Sequence, residues 1–224
     1  MATRKKKETE ALIEKEASSI KRCREPQKAL ESPEAIITTE NTTKIQNTIE
    51  VNPEPMRAVF NYNGVDFIVL ASINNGIGYL AISANLLPER MRFNDNAELG
   101  SNDWKKSTIR KKLNTEYIKK FNENDLLPIT SDLTADTGED DYGTCDDLIA
   151  LPSDNLIRKY NHIIPTYNTW IWTLTPWAIK YSNITAVGAR TQSKTLYSEQ
   201  PNRELGVAIV CTFKKEAIEL RYEN

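Results

Sequence analysis

The chain is short of the residues from which most active sites are built. One histidine, His162, stands in 224 residues, which excludes the enzyme classes that need a histidine base with a second histidine as partner or ligand. A lone histidine in a Tyr/Asn-rich segment reads as a satisfied polar residue. Three cysteines, Cys23, Cys145 and Cys211, lie far apart and form no CxxC pair. That spacing argues against zinc and dithiol chemistry and fits free thiols in a reducing compartment. A Gly-rich phosphate loop, GxSxG and HExxH are all absent,. No apolar run approaches membrane-spanning length, the longest being stretches such as 67–71,. The basic start, Met1 to Lys7, turns acidic where a secretory signal would continue into an apolar block,. A soluble chain without such a signal is expected. Charge of one sign is not in excess either: 29 Lys and Arg stand against 31 Asp and Glu. A dedicated nucleic-acid binder usually carries a strong basic excess.

Aromatic residues are missing from the first 55 residues. That stretch is poorly equipped to build a core of its own. Its charge is divided: residues 1–28 carry nine Lys and Arg against five Glu, and residues 29–55 carry one Lys against five Glu. Residues 8–23 have helix-forming composition, with Leu12, Ile13, Ala17 and Ile20 near helical spacing,. Alone in water so short a helix is marginal, and Pro26 and Pro33 stop it from continuing,. Ile36, Ile37, Ile45 and Ile49 follow in a Thr/Asn-rich, β-capable stretch that ends in Asn52-Pro53-Glu54-Pro55. A pure spacer has no use for so many branched apolar side chains. The expectation is an extended, partly helical arm over 1–55 that anchors through Leu12, Ile13, Ile20, Ile36, Ile37, Ile45 and Ile49.

From Met56 the texture is that of a folded domain, 56–224. Strands are expected at 58–62 and 65–72, joined by a turn at Asn63-Gly64, and a third at 78–83 after Asn74-Asn75-Gly76,. A helix is expected over 105–121, with Ile109, Leu113, Tyr117, Ile118 and Phe121 spaced mostly by three and four,. Residues 131–147 are turn-rich, with seven Asp and Glu and no Lys or Arg. A short buried strand is expected at 148–151. Ser153 caps a short helix that runs to Tyr160,. Residues 167–177 read as an aromatic strand, 184–187 as a short one, and 205–213 as a nearly continuous, central one,.

The order of these pieces resembles a known pattern. It runs V-D-F-I-V-L, W-K-K-S-T-I-R-K-K-L-N, D-L-I-A-L-P-S, W-I-W-T-L-T-P and L-G-V-A-I-V. It is similar to an uncharacterised domain family of bacteria and their phages. That family is related to the C-type-lectin-like fold, as are the formylglycine-generating enzymes and variable receptor-binding proteins of some phages. The resemblance covers about 58–214. Its best matched element is Trp104, Ser107, Ile109, Arg110, Leu113 and Asn114. Leu174 stands where family members put Arg, and Ala208-Ile209 where they put Arg-Pro. The resemblance implies an α+β, C-type-lectin-like domain of antiparallel sheets with two helices. Trp104 and Leu113 are core-type positions, and Arg110 is expected to pair with an acidic loop.

For ligand binding the surface candidates are Trp177, Tyr181, Gln200 and Asn202. Gln200-Pro201-Asn202 resembles the tripeptide with which animal C-type lectins hold calcium and sugar, where the proline is cis; a plain loop turn is the better reading here. Asp132, Asp136 and Asp140 are weak metal candidates, because the loop departs from the EF-hand pattern at Thr137 and Gly143,. Trp170 and Trp172 share one strand face and read as core, and Cys211 reads as a small core residue. No catalytic residue and no cofactor is expected. The favoured function is a non-enzymatic virion protein, made in the host cytoplasm, whose arm binds other virion components. Homo-oligomer formation and contact with a surface glycan or protein belong to this reading, and nucleic acid and membrane do not. A bacterial module for sugars or peptides is the alternative, and a formylglycine-generating-type enzyme stands third.

Overall fold

The computed structural model describes residues 57–180, 187–190 and 195–223. The first three strands follow directly from their turns. β1 (Arg57–Tyr62) and β2 (Val65–Ile73) pair antiparallel across Asn63-Gly64, both at positive φ, +49° and +84°. That is the backbone a two-residue hairpin of matching twist requires. β3 (Gly78–Ser83) returns along β2 after Asn75 and Gly76, again at positive φ. After β4 (Met91–Arg92) come helix α1 (Thr108–Thr115), β5 (Leu126–Leu127), β6 (Ile129–Asp132), β7 (Thr144–Asp147) and β8 (Ile149–Ala150). The short helix α2 (Asp154–Lys159) precedes β9 (Ile171–Pro176), β10 (Val187–Arg190), β11 (Leu196–Glu199) and β12 (Glu204–Leu205). β13 (Val210–Lys214) and β14 (Arg221–Glu223) close the described chain.

The strands form antiparallel sheets around one main helix, an α+β arrangement. The largest sheet runs β14-β1-β2-β3-β13-β5, with β8 also on β13. The first and last strands therefore lie side by side, Arg57 opposite Glu223 and Val59 opposite Arg221. A second sheet runs β11-β10-β9, and β4 with β12 and β6 with β7 make two ribbons.

Both faces of the main sheet are covered, so its strands are apolar on both sides. Phe60, Phe67, Cys211 and Phe213 face one cluster, which includes Trp104, Ile109 and Leu113. Val59, Ile68, Leu70, Ile82 and Val210 face another, with Ile157, Ile164 and Tyr167. This explains the unbroken F-I-V-L run at 67–70,. The ring of Phe213 lies 5.0 Å from those of Phe60 and Phe67, edge-on to both.

The stretch expected as one helix is three pieces. A 3-10 turn covers Trp104–Lys106, α1 follows, and a second 3-10 turn covers Tyr117–Lys120. Ser107 interrupts the first junction. Its backbone is extended, and its hydroxyl accepts from Arg110 N at 3.2 Å, so it caps α1,. Near the other end, Asn114 and Thr115 turn their side chains back to the carbonyls of Arg110 and Lys111. Such back-bonding competes with the helical ladder. The strand expected over 205–213 is likewise split. β12 and β13 flank residues that bond elsewhere: Val207 O accepts from Leu87 N, and Ile209 O from Ser83 N. Gly206 exchanges hydrogen bonds with Trp170 O and Trp172 N, and a Cβ there would come within 2.7 Å of Leu86 Cδ1. Only glycine allows that approach without displacement. Among the described residues, no helix is long and apolar enough to cross a membrane.

Candidate functional site

α1 is locked to the strand that ends the acidic stretch. Asp147, buried on β7, accepts from Trp104 Nε1 at 2.8 Å and from Arg110 Nε at 2.8 Å. Its carboxylate raises the pKa of Arg110 above the ordinary range. The Cys145 thiol lies 3.5 Å from the same carboxylate, and burial raises its pKa. One turn along α1, Asn114 donates to Ile149 O at 2.8 Å and accepts from Ile149 N at 3.2 Å. The acidic partner expected for Arg110 is thus Asp147. Trp104 and Leu113 are completely buried. The W-K-K-S-T-I-R-K-K-L-N pattern is a set of contacts that fasten a helix to β7 and β8.

A second polar cluster was not legible in the sequence. Asp154, at the start of α2, is buried and pairs with Arg190 on β10 and with Arg158, whose Nε is 2.6 Å from Oδ2. Arg158 also reaches Asp136 at 3.4 Å. The Asp154 backbone N–H donates to Thr175 Oγ1 on β9 at 2.9 Å. The one available signal was an arginine ending the otherwise small and apolar run Val187-Gly188-Ala189. The cluster joins α2 to the second sheet and compensates its buried charges internally, as burial demands.

The weak metal candidates do not converge. Asp132 Oδ1 accepts from Thr134 N and Thr134 Oγ1, which lowers its pKa. Asp136 is taken by Arg158, and Asp140 shares a turn in which its carbonyl accepts from Gly143 N. Among the described residues, no three His, Cys, Asp or Glu side chains gather into a metal-sized group. Thr137 N, on the same loop, donates to Trp177 O at 3.2 Å, so the loop packs along the end of β9.

Of the ligand candidates, Trp177 is half-buried, while Gln200 and Asn202 are exposed in the turn after β11. Pro201 between them is buried and trans. Tyr181 and the anchor residues Leu12, Ile13, Ile20, Ile36, Ile37, Ile45 and Ile49 lie outside the described residues. His162 is exposed in a turn, and Cys211 is fully buried on β13, where burial raises its pKa.

Trp172 is core, as expected, with its indole donating to Met91 O at 2.8 Å. Trp170 is only half-buried. It packs against the core cluster and against Tyr197, the ring centroids 5.1 Å apart and the planes tilted by 33°. Tyr197 stands on β11, the outer strand of its sheet, and is 48% exposed. Sequence reading missed it, because L-Y-S-E carries no clear strand pattern. Exposed Gln200 and Asn202 follow three and five residues later. An exposed aromatic face can stack on a flat apolar ligand face.

The geometry defines an antiparallel α+β domain with tightly braced helices. Compared with known proteins, the chain matches no family model, no curated protein and no solved structure.

Proposed function

We propose that the chain is a non-enzymatic component of a large assembly, a phage virion in the reading that the family resemblance supplies. Residues 1–55 anchor it, and residues 56–224 are displayed as a C-type-lectin-like domain that contacts a surface glycan or protein. The observation that carries this reading is the Trp170–Tyr197 rim, with Gln200 and Asn202 beside it in the chain. Aromatic faces suit sugars and apolar side chains alike. The fold part of the proposal is supported by the role of Trp104, Ser107, Arg110 and Asn114. The residues that best match the family pattern are those that brace α1.

The arm's division of charge and its isoleucines support an anchoring role, since apolar side chains without a core of their own gain by docking. The test is to remove residues 2–55 in the producing host and purify the particles. Loss of the protein from the particle, with the remainder folded by circular dichroism, is the expected result. Normal copy number of the truncated chain would defeat the anchor and favour a free ligand-binding module.

A further inference from the structure

Among the described residues the main sheet ends at β14. Among the described residues β14 pairs with β1 alone, and its outer edge carries no strand. Unpaired edges of this kind accept an added strand through main-chain hydrogen bonds.

The two faces at this edge differ. On one, Val59 lies opposite both Ile68 and Arg221, so alternation sets Arg57 and Arg221 together beside an apolar floor of Val59 and Ile68,. The two arginines, with Pro165, line a cleft of about 210 Å³. Glu223 stands opposite Arg57 on the same face of this edge pair,. Asp66, also on the cleft, is engaged by Asn61 at 2.7 Å. On the opposite face of β14 stands Tyr222, 61% exposed.

We infer that residues 45–51 of the arm of a second copy add to the outer edge of β14, with Glu50 on the Arg57–Arg221 cleft. The inference rests on the anchoring reading and gives the arm a partner, a neighbouring copy of this chain. In an extended strand, Ile45, Ile49 and Val51 share one face, and Gln46, Thr48 and Glu50 share the other,. One strand can therefore cover Tyr222 with branched apolar side chains while presenting its carboxylate to the arginines. Glu50 is the one charged residue of the segment 45–51. Docking on the same copy is disfavoured by the sequence next to β1. A sharp reversal within residues 52–56 would be needed to cross β14. Pro53 and Pro55 fix their own φ and restrict Asn52 and Glu54 to extended backbone,. Reciprocal exchange between two copies closes a twofold dimer, and one-way exchange builds a ring or filament.

Sedimentation velocity on the full-length chain tests this. Wild type should self-associate with rising concentration. Arg57→Glu/Arg221→Glu should weaken the association at least tenfold, with an unchanged circular dichroism spectrum, since both side chains are exposed. An arm variant, Glu50→Lys, should be equally weak alone. Mixed with the arginine variant it should regain association, because one chain then offers a native edge and the other a native arm. A wild type that stays monomeric up to hundreds of micromolar, an arginine variant that associates as wild type does, or a mixture that stays monomeric would overturn the inference. If the arginine variant associates normally while removal of residues 2–55 still strips the protein from particles, the edge is wrong and the anchor stands.

Discussion

Trp104 and Asp147 are buried together, and the indole N–H donates to the carboxylate at 2.8 Å. Arg110 shares that carboxylate. Removing the acid strands an indole N–H and a partly covered guanidinium at once. Asp147→Ala should therefore cost about 2–4 kcal/mol, toward the lower part of the range for broken buried pairs because Arg110 is partly exposed. Trp104→Phe should cost less than Asp147→Ala if the charge pair dominates. Urea unfolding of both variants gives the comparison, and an Asp147→Ala midpoint equal to wild type would mean that the clamp contributes nothing.

Leu113 lies under the same helix with no exposed surface. Leu113→Ala should cost about 2–5 kcal/mol through lost contacts and the cavity left behind. Lys111→Ala, two residues earlier on the exposed side, should change stability by no more than about 0.5 kcal/mol,. Similar losses at the two positions would mean that the faces of α1 are misassigned.

Burial, with the charges of Asp103 and Asp141, pushes the Tyr142 phenol up to about 12. Its hydroxyl donates to Asn102 Oδ1 at 2.8 Å. An unfolded tyrosine titrates near pH 10. The folded value is the higher, so this contribution is complete below about pH 10 and is lost as pH rises towards about 12,. Tyr142→Phe should flatten the decline of stability over that window and leave its slope at neutral pH unchanged. Denaturant titrations at several alkaline pH values report the slope, and parallel curves for the two proteins would count against the buried phenol.

The acidic loop is held by its own neighbours. Asp132 is satisfied by Thr134, and Asp136 by Arg158. A calcium chelator should leave the melting temperature where it was. A drop of many degrees on chelation, restored by added calcium, would make residues 131–147 a metal site.

The readable parts of the fold were those fixed by local chemistry. Asn63-Gly64 and Asn75-Gly76 set their turns by positive φ, and Ser153 capped α2, so these strands and this helix emerged close to their observed bounds. The core roles of Trp104, Trp172 and Cys211 followed from pattern and burial preference. The failures were tertiary. Ser107 looks like a mid-helix residue until its hydroxyl is seen capping Arg110 N. The ribbon of β6 and β7 lay hidden in acidic, turn-rich sequence, because its two strands are short and polar and pair across an eleven-residue loop. β14 is three residues whose strand character comes from β1, a partner far away in sequence. Arg190 and Asp154 are 36 residues apart, and no local pattern joins them. The aromatic pair is half legible: alternation puts Trp170 with Trp172 on the core face, yet it is only half-buried, and L-Y-S-E gives no sign of Tyr197.

Two aromatic side chains of the second sheet differ sharply in burial. Trp172 is fully buried and Tyr197 is half-exposed, although their Cα atoms both lie opposite Ala189, one on each neighbouring strand. Trp172→Ala should cost about 3–5 kcal/mol, because it empties a large core site. Tyr197→Ala should cost only about 0.5–1.5 kcal/mol, the value of an aromatic pair, since little else covers the ring,. If the rim is the contact surface, Tyr197→Ala should lower attachment of the protein to host cells at least tenfold while the domain stays folded. Asn202→Ala, in the exposed turn that follows, should act in the same direction. Binding of fluorescently labelled full-length protein to host cells, read by flow cytometry beside a thermal melt of each variant, separates the two effects. Full attachment by folded Tyr197→Ala and Trp170→Ala proteins would take the rim out of the binding site.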